Sequence, residues 1–564
     1  MTNSAPPLIK RHRLWRLLEI IPGLITWLAL FLPILLSFFV PALVANFIIV
    51  YTVIWLFRSV KLSVNLYRSY KLTQKALKTD WGKMISYNDY PEKIDYELKK
   101  TNQEEDPQKY IELFYLKKQI QNLIQSGQYK KSKDIWHTII FVTYKESYEL
   151  IRESIKSYAQ SRYPLNRIML VLAGEEGDRE NFLKTAKKIE QEFGHTFGHF
   201  MVTIHPKNLP GEIKGKSANA TWAAKELKKY VDQQPAPGAG RLPELAAQNE
   251  VQRWPYDNII ISNFDADTVI HPWYFSELTF KYLTADARTE KAYQPTHMFH
   301  NNIWDVPMMV RMVALSCTFW RMAESMEKDK YKSFSSRSLS FKTVIDVDYW
   351  DPSVIPEDSR QYWSAYIIYD GRHRLIPIYS PVYMDAVLSE TYSGTFKSQY
   401  LQLRRWAWGV CDFPFVALNL WYHPKLSIWT KIHQTVDFLK NSFFWATSPI
   451  LLTFTGFIPG LVNKGFRETV LAYNLPQIMS NLLTFASSGI IVCALISVTI
   501  IPYNPKKGWW GQASLILQWL LIPVVSLLLS AVPALDAQTR LMFGKHLEYK
   551  VTAKARLREP ASNG

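Results

Sequence analysis

Two aspartates in the middle of the chain have a spacing that suits a shared chemical task. They close the run Ile259-Ile-Ile-Ser-Asn-Phe-Asp-Ala-Asp267, a hydrophobic segment that ends in Asp265 and Asp267. Alternate residues of a strand face the same side, so both carboxylates can meet one site at the strand's carboxyl end, where open α/β sheets bind ligands. Hard oxygen ligands of this kind suit Mg²⁺ or Mn²⁺, which would neutralise a leaving diphosphate. The simpler interpretation of so short a motif is a solvated turn.

A polar turn upstream of the aspartates is a candidate for holding a nucleoside. The segment from Trp136 to Val142 predicts a strand, and the turn after it carries Thr143 and Glu146. We expect both side chains to contact a nucleotide donor. The alternative is an ordinary connection between a strand and a helix.

A lysine-containing turn is a candidate for holding a diphosphate. The run Lys214-Gly-Lys-Ser-Ala-Asn-Ala-Thr-Trp222 is rich in small residues, which permit close backbone approach. Lys216 would meet the diphosphate and Asn219 would hydrogen-bond the donor. A helix N-terminus with solvated lysines explains the same pattern.

A pair of acidic residues further along the chain is a candidate for proton transfer. In Ile355-Pro-Glu-Asp358, a carboxylate facing the metal site would accept the proton of an attacking hydroxyl group. The alternative is that the pair begins a helix and stabilises its N-terminus.

A helical face near the end of the soluble region offers three different binding groups. In Gln402-Leu-Arg-Arg-Trp406, the residues Gln402, Arg405 and Trp406 stand at i, i+3 and i+4 and therefore share one face of a helix. They offer an amide, a guanidinium for phosphate and an aromatic platform for a sugar. The alternative is an interfacial helix whose arginines extend towards water.

These motifs need a sheet to bring them together, and the sequence predicts one. Short apolar strands alternate with helical stretches between residues 134 and 410, which favours an α/β domain. A polar, lysine- and glutamate-rich connector of helices precedes it at 61–133. Residues 231–256, which contain Pro235, Pro237, Gly238 and Gly240, predict a loop.

Long uncharged segments at both ends predict a membrane protein. Residues 1–60 contain two predicted spans, about 20–40 and 41–59, which Pro41 divides. Residues 411–436 suit helices lying on the membrane surface. The region 437–535 holds about three further apolar segments, and a basic tail follows at 536–564. Three crossings would leave this tail outside the cell, against the charge rule, so one segment is re-entrant or is miscounted as a span.

The net charge of +17 is explained by basic residues beside the membrane segments rather than by a nucleic-acid-binding surface. Basic residues flank the first two spans, as in the positive-inside pattern, and no basic recognition module with interleaved aromatics is present. We therefore expect a lipid bilayer, and no nucleic acid, among the partners. Cys317, Cys411 and Cys493 are far apart and predict reduced thiols rather than a disulfide framework.

The order of these motifs resembles that of the processive family 2 glycosyltransferases, the group containing cellulose, chitin and hyaluronan synthases. The resemblance covers roughly residues 136–410, and Gln-x-x-Arg-Trp is its most specific part. Gln294-Pro-Thr-His-Met-Phe-His-Asn301 also looks like the segment after Asp-x-Asp in cellulose synthases. The resemblance implies a cytosolic, GT-A-like (Rossmann-related) α/β domain held at the plasma (inner) membrane by helical segments at both ends.

The resemblance also implies roles for the motif residues. Asp265 and Asp267 would handle nucleotide and metal, and Asp358 would be the general base of an inverting sugar transfer. Glu357 and Trp406 would hold the acceptor, while Gln402 and Arg405 would bind the donor diphosphate. The implied partners are a UDP- or GDP-sugar donor and a glycan or lipid-linked acceptor.

Two departures from the family pattern leave the nucleobase open. The family usually has an Asp-Asp pair after the second strand, where this chain reads Leu172-Ala-Gly-Glu-Glu-Gly-Asp178, so that Glu175 or Glu176 would take its place. The usual Thr-Glu-Asp is Pro356-Glu-Asp358. The alternatives to a polysaccharide synthase are a non-processive transferase acting on a lipid-linked acceptor, a catalytically silent membrane subunit and, least favoured, a transporter.

Overall fold

The computed structural model of the protein describes residues 8–9, 12–234 and 254–548. Most of the predicted loop 231–256, with Pro235, Pro237, Gly238 and Gly240, lies outside the described residues, as do Lys10, Arg11 and the tail beyond residue 548. The first three residues of this predicted loop are helical rather than loop. The described strands are β1 Trp136–Val142, β2 Ile168–Glu175, β3 His199–His205, β4 Ile259–Phe264, β5 Val269–Ile270, β6 Lys291–Met298, β7 Arg337–Ser340 and β8 Arg374–Tyr383.

The helices fall before, between and after these strands. Those up to the end of the sheet are α1 Trp15–Phe39, α2 Pro41–Lys78, α3 Trp81–Asp89, α4 Glu92–Lys100, α5 Pro107–Gln125, α6 Tyr148–Ala159, α7 Arg179–Phe193, α8 Lys216–Gln233, α9 Tyr274–Thr284, α10 Met308–Glu324, α11 Phe341–Asp346 and α12 Glu357–Ile368. Those after it are α13 Tyr392–Ala407, α14 Phe413–Trp421, α15 Ile428–Phe454, α16 Ile458–Val462, α17 Lys464–Arg467, α18 Val470–Ala486, α19 Ser488–Ile500, α20 Gly508–Leu517, α21 Ile522–Ser526 and α22 Val532–Met542.

The chain divides into two compact units. The sheet unit contains Leu72–His297 and Lys328–Tyr383, and the helical unit contains Met1–Lys71, Met298–Glu327 and Met384–Gly564. The helical unit therefore includes α10, which the chain contributes from within the region predicted as the soluble domain. It also includes α13, the helix that carries Gln402, Arg405 and Trp406.

The sheet unit is built on one mixed sheet with the strand order β3-β2-β1-β4-β7-β6-β8-β5. The first four strands in this order are parallel, whereas β7 runs antiparallel to both β4 and β6. Strands β1, β2 and β4 are buried along almost their whole length, as expected of a parallel sheet with both faces covered. The alternation of strands and helices predicted for this region is present.

The strand order creates a crevice where a ligand can bind. From β1 the parallel strands proceed outwards to β2 and β3, and the chain then returns to add β4 on the other side of β1. Ligands bind outside the carboxyl ends of the strands at such a reversal. Phe141 lies opposite Phe264, so the turns that follow β1 and β4 leave the sheet at the same level.

The connector that precedes the sheet is helical. Helices α3 and α5 each begin at an aspartate whose carboxylate accepts a backbone N–H: Asp80 from Lys83 and Asp106 from Lys109, both at 3.0 Å. Such caps satisfy amide groups that a helix start leaves without partners. Together with α4, these two helices form a small core of Tyr87, Ile94, Leu113, Leu116 and Ile120.

The helical unit is rich in apolar surface. Within the described part of the chain, five helical segments are long and apolar enough to cross a membrane: Trp15–Phe39, Pro41–Lys78, Ile428–Val462, Val470–Ile500 and Gly508–Met542. Large apolar side chains such as Phe39, Leu461 and Val470 are more than 70% exposed on them. Exposed apolar surface of this extent is typical of a protein that contacts lipid. The protein therefore has the features of a membrane protein.

Candidate functional site

The two aspartates follow β4 in a tight turn. The backbone N–H of Thr268 donates to the carbonyl of Asp265 at 3.0 Å, which closes the turn. Helix α6 holds the same turn, since Ser154 Oγ donates to the Ala266 carbonyl at 2.8 Å and the Tyr158 hydroxyl to that of Thr268 at 2.8 Å. The carboxylate of Asp265 is one-quarter exposed, whereas Asp267 is fully buried. Asp265 is therefore the more accessible of the two.

A buried lysine meets the first aspartate. Lys216 Nζ donates to Asp265 Oδ1 at 2.6 Å, and only 9% of the lysine side chain is exposed. Lys216 is the first residue of α8, whose start lies beside the carboxyl end of β4 for this reason. Burial alone would lower the pKa of Lys216, but the negative charges of Asp265, Asp358 and Glu357 outweigh it and raise the pKa. The lysine is therefore a permanent cation among carboxylates.

A buried arginine holds the predicted general base. Arg337, on β7, donates through Nη1 to Asp358 Oδ1 and through Nη2 to Gln361 Oε1. Only 2% of Arg337 is exposed, whereas 21% of the Asp358 side chain is. Burial lowers the pKa of Arg337, an effect that Asp358 and Glu357 partly oppose. The sequence motifs did not include Arg337, because it belongs to no recognisable pattern and its partner is 21 residues away.

Glu357, the first acid of the Glu-Asp pair, has a raised pKa. Glu357 is the first residue of α12. Burial, assisted by the negative charge of Asp358, raises the pKa of Glu357 to about 7, although Lys216 opposes the rise. Glu357 therefore changes charge close to neutral pH. Perturbed carboxyls of this kind are common at functional sites.

The predicted nucleoside-binding turn after β1 is closed by its own side chains. Thr143 Oγ1 donates to Glu146 Oε2 at 2.8 Å, and the backbone N–H of Tyr144 donates to the same oxygen. The Ala173 carbonyl at the end of β2 accepts both the Thr143 N–H, at 2.9 Å, and Asn219 Nδ2, at 3.2 Å. Thr143 and Asn219 therefore meet at the crevice between the strand ends.

The two glutamates after β2 have partners within the protein. His205 bridges Glu175 and Glu212, with its Nδ1 3.0 Å from Glu175 Oε2 and its Nε2 2.8 Å from Glu212 Oε2. Burial would lower the pKa of His205, but the two glutamates outweigh it and raise the pKa. Glu176 accepts the backbone N–H of Lys207 at 2.8 Å. A nucleobase contact by Glu175 or Glu176 stays a prediction.

The Gln-x-x-Arg-Trp residues lie on α13 in the helical unit. Gln402 is buried and accepts a hydrogen bond from Gln399 Nε2 at 3.2 Å, while the Trp406 ring lies 6.3 Å from that of Phe299. Arg405 is half-buried on the same helix. The predicted helix is therefore present, and its binding roles stay predictions.

The residues available for a metal are few. Among residues 8–9, 12–234 and 254–548, no group of three or more His, Cys, Asp or Glu side chains could enclose an ion. Mg²⁺ and Mn²⁺ do not need such an enclosure, because they are commonly held by one or two carboxylates and take their remaining ligands from phosphate and water. Asp265 and Asp267 supply hard oxygens of this kind, so the donor set fits such an ion bound together with a diphosphate.

Comparisons with known proteins add little to this geometry. No protein-family model matches the chain, and a search of curated proteins finds no significant match. A mannosyltransferase from Pyrobaculum calidifontis, solved with GDP-Man and Mn²⁺, is 12% identical, with a TM-score of 0.33 over 69% of this chain and 86% of that one. Residues 1–349 of S. aureus TarS, also solved with UDP-GlcNAc, are 12% identical, with a TM-score of 0.31 over 74% and 94%. At this level of overlap, the assignment of function depends on the residues of the site.

Proposed function

We propose that this protein is a membrane-bound glycosyltransferase that moves a sugar from a nucleotide-sugar donor to a glycan acceptor. The observation that carries the proposal is the cluster around Lys216. This buried cation binds Asp265 directly and also interacts with the charges of Glu357 and Asp358. Residues from three distant segments thus form one charged cluster beside the crevice of an α/β sheet. A cation, metal-binding oxygens and a candidate base are the groups that sugar transfer from a nucleoside diphosphate requires.

The proposed reaction is a single inverting displacement. Asp358 accepts the proton of the acceptor hydroxyl as that oxygen attacks the anomeric carbon. The bond from the anomeric carbon to the diphosphate breaks, and its electron pair leaves with the nucleoside diphosphate. Lys216 offsets the negative charge that develops there. Mg²⁺ or Mn²⁺, held by Asp265 and Asp267, would supply further charge to the leaving group when bound.

The remaining predicted residues would bind the two substrates. Thr143, Glu146 and Asn219 surround the crevice at the ends of β1 and β2, a position that suits the nucleoside of a UDP- or GDP-sugar. Glu175 and Glu176 remain candidates for the base. The family resemblance assigns diphosphate binding to Gln402 and Arg405 and acceptor binding to Trp406 and Glu357, and these roles stay predictions.

The protein would cross the membrane four times. The short link between α1 and α2 defines a far face of the bilayer, and Arg16 and Ser59 define the near face. Asn463 Nδ2 donates to the Phe38 carbonyl at 3.1 Å, so the third apolar segment, Ile428–Val462, ends at the far face. Ser59 Oγ donates to the Ala486 carbonyl at 2.7 Å, so the fourth segment, Val470–Ile500, reaches the near face at the end of its first helix, α18.

The fifth apolar segment, Gly508–Met542, would then enter and leave at the near face. It starts shortly after the fourth segment, and at its other end Arg16 donates to the carbonyls of Leu541, at 2.7 Å, and Met542. A 3₁₀ turn at Gln518–Leu521 and a π-helical turn at Leu527–Ala531 interrupt it. This arrangement puts the basic tail on the side of Arg16, as the positive-inside rule requires, and makes the near face cytosolic. The sheet unit, which follows α2 at this face, would be cytosolic at the plasma (inner) membrane.

The product is either a polymer or a single transferred sugar. The Gln-x-x-Arg-Trp face on α13 favours a polysaccharide, because an aromatic platform beside a diphosphate-binding arginine can hold the end of a growing glycan. A non-processive transferase acting on a lipid-linked acceptor remains the alternative. The two are separated by the length of the product.

A donor panel tests the proposal. Purified protein is incubated with UDP- and GDP-sugars and Mg²⁺ or Mn²⁺, and the released nucleoside diphosphate is measured. We expect release from at least one donor, and none above background for Asp358→Asn. Asp257→Asn is the matched control, since Asp257 pairs with Lys130 away from the cluster. Equal release by wild type and Asp358→Asn would refute the assignment of the base, and a silent wild type would favour a membrane subunit without activity.

A further inference from the structure

The general base proposed above is held by a side chain that no sequence motif predicts. Arg337 contacts Asp358 with one end of its guanidinium group and Gln361 with the other. Gln361 is in turn anchored, because its Nε2 donates to the Tyr349 carbonyl at 3.4 Å. The planar guanidinium therefore has both of its Nη atoms engaged by residues of one helix, α12. A lysine, with a single nitrogen, cannot reproduce this fork.

The strand that carries Arg337 is paired with β4, the strand that Asp265 and Asp267 follow. Arg337 lies opposite Asn263 in the antiparallel pairing of β7 with β4, two residues before Asp265. The neighbouring Ser338 Oγ lies 2.7 Å from Ser262 Oγ across the same pair. Displacement of the Arg337 backbone would therefore also displace β4. Through Arg337, the position of Asp358 is therefore fixed relative to the turn after β4, where the leaving group would lie.

We infer that Arg337 is a positioning residue for the base in the proposed sugar transfer, and this inference rests on the proposed function. It holds Asp358 Oδ1, which makes Oδ2 the atom that accepts the proton of the acceptor hydroxyl. The new bond forms between that hydroxyl oxygen and the anomeric carbon, and the leaving diphosphate takes the electron pair of the broken bond. The pairing of β4 with β7 would then set the distance between the base, Asp358, and the diphosphate that leaves beside Asp265.

The burial of Arg337 gives this contact its rigidity. The side chain is 2% exposed, and its described acceptors are the carboxylate of Asp358 and the amide oxygen of Gln361. A buried guanidinium that lost the carboxylate would be left with a neutral acceptor, which strongly disfavours release of Asp358. The base is therefore held in one orientation before the acceptor arrives, as preorganised catalysis requires.

The test compares steady-state kinetics of Arg337→Met, Arg337→Lys and Gln361→Leu with wild type. A displaced base slows the chemical step, so we expect kcat to fall about 100-fold in Arg337→Met with the donor KM changed less than about threefold. Arg337→Lys keeps the charge but not the forked pair of hydrogen bonds, so its kcat should lie between those of wild type and Arg337→Met. Added guanidinium should restore part of the activity of Arg337→Met and should not raise the activity of the other variants. Gln361→Leu, which leaves the ion pair intact, should lower kcat by a smaller factor and carries the test if Arg337→Met does not fold.

Arg360→Met is the matched control, because Arg360 is another buried arginine of the same region and pairs with Asp351 at 3.0 Å. We expect it to lower thermal stability and to leave kcat near that of wild type. An unchanged kcat in Arg337→Met, or a raised donor KM with unchanged kcat, would overturn the positioning role and leave the proposed function standing. A wild type that transfers no sugar from any donor would refute the proposed function and the inference with it.

Discussion

The raised pKa of Glu357 makes a prediction about stability that needs no substrate. At its ordinary pKa of 4.5 the unfolded chain releases this proton, whereas the folded protein keeps it until about pH 7. The ionisation of Glu357 therefore does not destabilise the folded protein below about pH 4.5. As the pH rises from about 4.5 to about 7, this group lowers the free energy of unfolding. Replacing Glu357 by Gln removes this dependence.

The size of the effect follows from the difference between the two pKa values. A gap between about 7 and 4.5 corresponds to about 3.4 kcal/mol as an upper limit. The Glu357 side chain is only partly shielded from water and shares its charge environment with Asp358, so we expect about 1–2 kcal/mol. At about 2–4 °C per kcal/mol, Glu357→Gln should melt a few degrees above wild type at pH 8, and the advantage should vanish near pH 4.5.

The assay is thermal unfolding in detergent at matched scan rates, because large membrane proteins commonly unfold irreversibly. A chelator is present throughout, since a bound cation would hold Glu357 in its charged form. Glu97→Gln is the control with the opposite sign, because the hydrogen bond from Lys83 lowers the pKa of Glu97. A difference between Glu357→Gln and wild type that stays constant from pH 5 to pH 8, or that shrinks as the pH rises, would refute this reasoning.

Three other outcomes follow from the site and the membrane arrangement. Lys216→Met removes the cation beside the leaving group, so catalytic efficiency towards the donor should fall about 10–100-fold, while Lys225→Met on the exposed face of the same helix should not change it. Asp265→Asn should raise the Mg²⁺ concentration needed for half-maximal activity, and an unchanged metal requirement would remove this residue from the metal site. An epitope added after residue 564 should be digested by external protease only after the cells are opened, and digestion in intact cells would contradict the four-crossing arrangement.

The strands and the charged turn after β4 are predictable from the sequence, because they depend on local patterns. The hydrophobic segment that begins at Ile259 forms β4, which ends at Phe264, and the two aspartates follow it as expected. The start of α8 at Lys216 is also visible, since small residues surround it. These features depend on residues that are neighbours in the sequence, so they can be predicted without the rest of the chain.

The pairing of the charged groups is not predictable in this way. Lys216 was expected to meet a diphosphate, and in the structure it binds Asp265, which is 49 residues away in the chain. Arg337 stands in a short strand of serines, and its partner becomes visible only when β7 lies beside α12. Similarly, the composition of the fifth apolar segment indicates a span, whereas its hydrogen bonds to Arg16 depend on the packing of the segment against α1.

The proposed activity is tested by measuring transfer of a radiolabelled sugar from a nucleotide donor into a glycan or lipid-linked product. Membranes carrying wild type and Asp358→Asn at equal protein levels are compared, and the labelled product is separated by size. Loss of a general base commonly lowers the rate by about 10²–10⁴-fold, so wild type should accumulate product and Asp358→Asn should accumulate almost none. Equal incorporation of label by the two proteins, or none by wild type with any donor, would contradict the account.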